Sequence, residues 1–171
     1  MVLNSQKARD WLRMAQSELE TSLANFLSQH HAASVHHAQQ TAEKACKCPL
    51  TLLGIQFGKT HFPSIVMKRE KISETVEDGL KPYVESIVRE SGNLEREKET
   101  PRYGIEEEGW IIVPEEIYGK QEARETVLSA SRALENLIKL IEERYSDEKL
   151  REIAAEVKAI LGKVDSNVAI G

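Results

Sequence analysis

Apolar residues recur at steps of three and four along most of this chain, the period of an α-helix that buries one face against a neighbour. The clearest run is Ala123, Val127, Ala130, Leu134, Leu137 and Ile141, the seam of a bundle or coiled coil. An earlier stripe, Ala8, Trp11, Leu12, Ala15, Leu19, Leu23, Phe26 and Leu27, predicts a helix from about Ser5 to Gln29 with Asn4 or Ser5 as its N-cap. After a histidine-rich turn, Val35, Ala38, Ala42, Ala45, Pro49, Leu52 and Leu53 form a second stripe, whose small alanines allow a partner helix close approach. Pro49 lacks a backbone donor and clashes with the carbonyl of Ala45, so a kink or a break is expected there, with Gly54 as a left-handed C-cap.

Residues 62–70 suit a short helix. Val76, Leu80, Tyr83 and Ile87 predict another, which starts either near Ser73 or at Lys81, since Pro82 fits a first turn. Ser146 and Asp147 cap a final helix through Leu150, Ile153, Ala154, Val157 and Ile160, with Gly162 expected to end it and a frayed tail to follow. Between Ser91 and Gly119 the periodicity disappears into "GNLEREKETPRYGIEEEGWIIVPEEIYG". A stretch this long in a small domain is usually functional or mobile, and Trp110, Ile111, Ile112 and Val113 are expected to pin it by packing as a short extended piece. The expected fold is all-α, an up-down bundle of four or five helices with an extra C-terminal helix.

Composition narrows the function classes. The chain has 171 residues, enough for one domain, and its 40% hydrophobic content supports a real core. A formal net charge of −5 argues against strong nonspecific attraction to nucleic acid, while leaving room for a local basic face. No run approaches the ~20 apolar residues of a membrane span, and the N-terminal segment lacks the apolar core of a secretory signal. A soluble, cytoplasmic protein without membrane partners is expected. Cys46 and Cys48 lie two apart on a helix and point in nearly opposite directions, so inert buried thiols are expected rather than a redox or metal pair.

No metal or cofactor is called for. His36, Gln40 and Glu43 share a helix face, as do His37 and Thr41, but neighbouring histidines diverge where a two-histidine helical site needs a spacing of four. There is no Gly-x-Ser-x-Gly turn and no phosphate-cradling glycine loop, and Glu106, Glu107 and Glu108 read as a solvated acidic run. Two basic features stand out. Lys44 and Lys47 lie three apart on one helix, and Arg102 adjoins Tyr103 in the irregular stretch. A guanidinium beside an aromatic ring can hold a phosphate and stack a base, or it can simply anchor the loop onto the bundle.

The segment "HAQQTAEKACKCPLTLLGIQFGKTH", with Ala42-Glu43-Lys44-Ala45, Gly54 and Thr60-His61, resembles the second helix and following loop of HEPN domains, helical proteins named for a proposed nucleotide-binding role. "PRYG" and then "PEEIYGKQEA" are similar to that family's arginine–tyrosine loop and final bundle helix, and the likeness spans about Lys7 to Glu143. It implies a HEPN-like bundle over residues 1–145, with 146–162 as an added helix and 163–171 as a tail. It further implies a homodimer, and a minimal nucleotidyltransferase as partner in a toxin–antitoxin-like pair. Many such proteins are metal-independent ribonucleases that carry arginine, four to six residues, then histidine. This chain departs from that signature: no histidine follows His61, and none of its five histidines has an arginine at that spacing before it. The expected function is therefore a non-catalytic module that dimerises through apolar helix faces. It would bind a nucleotide, RNA or protein near Arg102, Tyr103, Lys44, Lys47 and His61, with no catalytic residue assigned. The alternative is a ribonuclease whose histidine role has moved to His61 or another residue.

Overall fold

The seam residues of the long C-terminal helix, Leu134, Leu137 and Ile141, are fully buried and mark the centre of the protein. The structure, a computed structural model, describes residues 2–97 and 99–169. Four long helices build the bundle: α1 (Val2–Leu27), α2 (His31–Leu52), α5 (Lys81–Leu94) and α8 (Lys120–Arg144). A fifth, α9 (Glu148–Val164), packs on α1 and α8. Short helices α3 (Pro63–Arg69) and α4 (Ile72–Thr75) lead into α5. Between α5 and α8 lie α6 (Thr100–Tyr103), a two-stranded hairpin of β1 (Ile105–Glu107) and β2 (Trp110–Ile112), and α7 (Pro114–Ile117). The all-α bundle expected from periodicity is the architecture found.

The stripes explain the packing. Leu12 and Leu19 of α1, Leu50 of α2, Ile87 of α5, Leu134 and Leu137 of α8 and Leu150 of α9 are all fully buried, each contributing about 1.5–3 kcal/mol. Where α1 meets α2 the residues are small: Ala8, Ala15, Ala38, Ala42 and Ala45 are buried, and Ser22 and Ser34 exchange hydrogen bonds across the contact. Asp147 caps α9 by accepting from the Leu150 amide at 2.9 Å, worth ~1 kcal/mol. Gly54 turns the chain out of α2 at φ 73°.

Several local features differ from the sequence reading. α2 neither breaks nor stops at Pro49 but runs on to Leu52, because Cys48, Pro49 and Leu50 are all buried and their packing offsets the lost donor. α5 starts at Lys81 with Pro82 in its first turn, settling the two alternatives left open. Gly162 does not end the last helix. α9 continues to Val164, and a wider helical turn follows over Asp165–Ala169, held by buried Val164 and Val168 and by Arg124 Nε donating to the Val168 carbonyl at 2.8 Å. The last two residues of the expected tail lie outside the described residues. Trp110 and Ile111 do form an extended strand, yet they pin nothing: Trp110 is 78% exposed. The hairpin is closed instead by its turn, in which Glu108 and Gly109 both have positive φ (50° and 84°), as a type I′ turn requires. At its base Gly104 is obligatory, since a Cβ there would sit 2.1 Å from the Ile112 carbonyl oxygen.

Candidate nucleic-acid interface

α6 is a single turn started by buried Pro101 and ended by Gly104 at φ 73°. This turn presents Arg102 and Tyr103 to solvent with the guanidinium carbon 5.0 Å from the ring centre. The exposed pair contributes ~0.5–1 kcal/mol to holding the arginine in place. Facing them across a cleft of about 530 Å³ are His36, Gln39, Gln40 and Glu43 of α2, with His61 and Phe62 from the segment before α3. Arg102, Tyr103 and His61, distant in sequence, thus share one cavity wall.

Glu43 organises the floor. Only 6% exposed, it takes Lys47 Nζ on one oxygen at 2.5 Å and His61 Nδ1 on the other at 3.2 Å. Lys47 also lies 5.0 Å from the centre of the Trp11 ring on α1. Lys44 is buried too, paired with Glu18 at 3.0 Å and donating to Gln40 at 2.9 Å. These two lysines therefore fasten α2 to α1. Neither lines the cleft, and Lys47 reaches it only through Glu43. Burial pushes the Glu18 carboxyl upward, but hydrogen bonds from His37 and Lys44 outweigh it and hold the pKa below the ordinary value.

His36 was not singled out as a ligand contact by sequence reasoning, although its shared face with Gln40 and Glu43 was visible there as a possible metal face. It is half-buried, and its Nδ1 finds no hydrogen-bond partner among the described residues. Burial, then the neighbouring His37, then Arg102, lower its pKa from the ordinary 6.5. At neutral pH the imidazole is uncharged and can accept a proton. Gln39 and Gln40 add amide groups that can donate to phosphate or base oxygens. The cleft therefore combines a fixed guanidinium, an exposed phenol ring, a neutral imidazole and a second imidazole oriented by a carboxylate. That set suits an anionic, partly aromatic ligand such as a nucleotide.

Among the described residues no three His, Cys, Asp or Glu side chains are grouped to hold a metal ion. Both cysteines are fully buried, and burial pushes the Cys46 thiol up to about 12 and the Cys48 thiol higher still. No helix is long and apolar enough to cross a membrane.

The HEPN domain profile matches residues 8–144, the stretch from α1 to the end of α8 that carries the whole cleft. The chain belongs to the HEPN family. A protein of Methanocaldococcus jannaschii named "Putative toxin MJ1304" is 30% identical to this HEPN domain over 142 residues, which cover 83% of the chain and 93% of the relative. No solved structure is a significant match. The family match stops before α9, so the last helix is an addition to the shared bundle.

Proposed function

We propose that this HEPN domain is a cytoplasmic, toxin-class module that binds single-stranded RNA in the cleft between α2 and α6, and that it works as a dimer beside a minimal nucleotidyltransferase. The observation that carries the binding is the Arg102–Tyr103 pair at the cleft mouth, cation over ring at 5.0 Å, opposite two imidazoles. Arg102 takes a phosphate, Tyr103 stacks a base, and Gln39 and Gln40 meet base or sugar edges. The partner rests on family membership and on the name of the Methanocaldococcus relative. Fluorescence anisotropy with a labelled single-stranded RNA tests the reading. Arg102→Ala is expected to weaken binding at least ~10-fold, or about 1.4 kcal/mol, and to flatten the salt dependence by ~0.7 of a logarithmic unit. Wild-type protein that leaves the RNA free at every concentration removes this function. Co-purification with the product of an adjacent nucleotidyltransferase gene tests the partner.

A second reading is favoured by one observation: the imidazole that the sequence signature lacked is supplied to the arginine's cleft by α2, in the form of His36. A neutral His36 is placed to take a proton from a ribose 2′-hydroxyl while Arg102 stabilises the phosphate, a metal-independent ribonuclease. Cleavage of unstructured RNA without added metal, lost in both His36→Ala and Arg102→Ala, is its signature. RNA that binds and remains intact through long incubation leaves binding as the function.

A further inference from the structure

The hairpin carries an unusual surface for an isolated pair of strands. Ile105, Trp110, Ile111 and Val113 are all exposed, and Trp110 and Ile111 project on opposite faces, each beside a carboxylate: Trp110 pairs with Glu107, and Ile111 with Glu106. From Gly104 to Gly119 the chain holds five glutamates and no lysine or arginine. An acidic surface repels RNA, so the exposed indole is poorly suited to stacking bases. It is suited to an apolar site with a basic rim.

The protein has such a site. A groove of about 680 Å³ runs between α3 and α5, with Phe62 and Ile65 exposed at its surface and Val88 half-buried. Lys68, Lys71, Arg89 and Arg96 line it, all exposed. Against them stand two exposed carboxylates, Glu74 and Glu85, while a third, Glu95, is buried and accepts from the Ser64 amide and hydroxyl. Phe62 lines both this groove and the RNA cleft, and the hairpin leaves that cleft at Gly104. Hairpin and groove therefore open on neighbouring parts of the same side of the molecule, so a two-fold axis between two copies can make both contacts at once.

We propose that residues 105–112 of one copy dock in the α3–α5 groove of a second copy, reciprocally, with Trp110 and Ile111 against Phe62 and Ile65 and the glutamates against the basic rim. Charge complementarity selects this occupant. One hairpin is small beside the ~800 Å² per partner of a standard interface, but each subunit contributes both a hairpin and a groove, which doubles the buried area. The helix stripes cannot serve instead, because their apolar residues are consumed in the core. The proposal goes beyond the RNA-binding reading and stands or falls separately from it.

Reciprocal charge reversal tests it by sedimentation velocity on the full chain. Wild type is expected to be dimeric, and Trp110→Ala to dissociate it at least tenfold more readily. Glu106→Lys with Glu107→Lys is expected to abolish the dimer, as is Lys68→Glu with Arg96→Glu, since each then sets like charge against like. All four positions are exposed, and circular dichroism confirms that the variants fold. Mixing the two reversed proteins restores opposite charge at both contacts and is expected to give a one-to-one heterodimer. A monomeric wild type, a dimer indifferent to either reversal, or a mixture that stays monomeric overturns the proposal. RNA affinity measured on the same variants reports on the cleft and not on the interface.

Discussion

His36 and Arg102, carried by two different helices, line the same cleft, and the guanidinium charge is among the causes that hold the imidazole below its ordinary pKa. Burial is the larger cause, followed by His37 and then Arg102, with Glu18 opposing them. This cluster rests on folding alone, since nothing in the local sequence around either residue brings them together.

The first prediction concerns that titration. Arg102→Ala is expected to raise the His36 pKa part of the way back towards 6.5, leaving the contribution of burial in place. The sign for stability follows. A histidine whose folded pKa is depressed binds its proton more readily when unfolded, so above pH 6.5 it contributes no pH dependence, and as pH falls from there through the folded pKa it destabilises the fold. Following the imidazole carbon-bound protons of His36 by NMR against pH isolates this group from the carboxylates. A midpoint at or above 6.5 in the wild type would contradict the arrangement.

Glu90 is the second case. Its carboxylate, nearly buried at the α5–α8 contact, accepts from Ser129 Oγ at 2.7 Å, Arg132 at 3.1 Å and Arg89 at 3.0 Å. Burial raises its pKa, but these three donors together outweigh that and leave it lowered. A depressed carboxyl contributes stability above its unfolded value of 4.5, and that contribution disappears as pH falls through the folded pKa. Glu90→Ala is expected to cost about 3 kcal/mol at neutral pH, the lower end for a broken buried pair because both arginines remain partly solvated. The difference from wild type should shrink in acid. Urea unfolding at neutral and acidic pH checks both parts.

The cysteines give a third. With Cys46 and Cys48 fully buried and their thiols raised, to about 12 at Cys46, almost no thiolate forms in the native protein. A thiol reagent is expected to modify neither in native buffer and both in denaturant, with the native rate following the unfolding rate. Rapid modification of one thiol without unfolding would show that its burial is incomplete.

The sequence made most of the fold legible because the information is local. The step pattern of Ala123 to Ile141 and the Asp147 cap each depend on neighbours within one or two turns, and both are found as read. What depended on distant contacts was not legible. Pro49 looked like a break because its packing partners lie on other helices, and Gly162 looked like a stop although Ile160, Val164 and Val168 continue the buried stripe at steps of four. The Trp110 strand was expected to bury itself, since apolar composition says nothing about whether a surface exists to receive it. In the cleft, Arg102, Tyr103 and His61 were legible as residue types suited to a phosphate. Lys44 and Lys47 read equally well as ligands, because their actual partners, Glu18 and Trp11, are on another helix.

The last prediction lies at the closest approach of α1 and α2. Ser22 Oγ donates to the Ser34 carbonyl at 2.8 Å, and Ser34 Oγ donates back to the Ser22 carbonyl at 2.9 Å, with both side chains fully buried. Serine fits here because a hydroxyl is small enough for helices lined by alanines and still finds an acceptor across the contact. Ser22→Ala or Ser34→Ala keeps the space and loses one bond, so each is expected to cost ~1 kcal/mol. Ser22→Val adds carbon where the backbones already touch, so it loses the bond and also forces the helices apart, at about 1–3 kcal/mol beyond the alanine variant. Denaturant midpoints with unchanged slopes measure these differences as stability alone. If valine proves no worse than alanine, the two helices are not in close contact at Ser22 and the small-residue account of their packing fails.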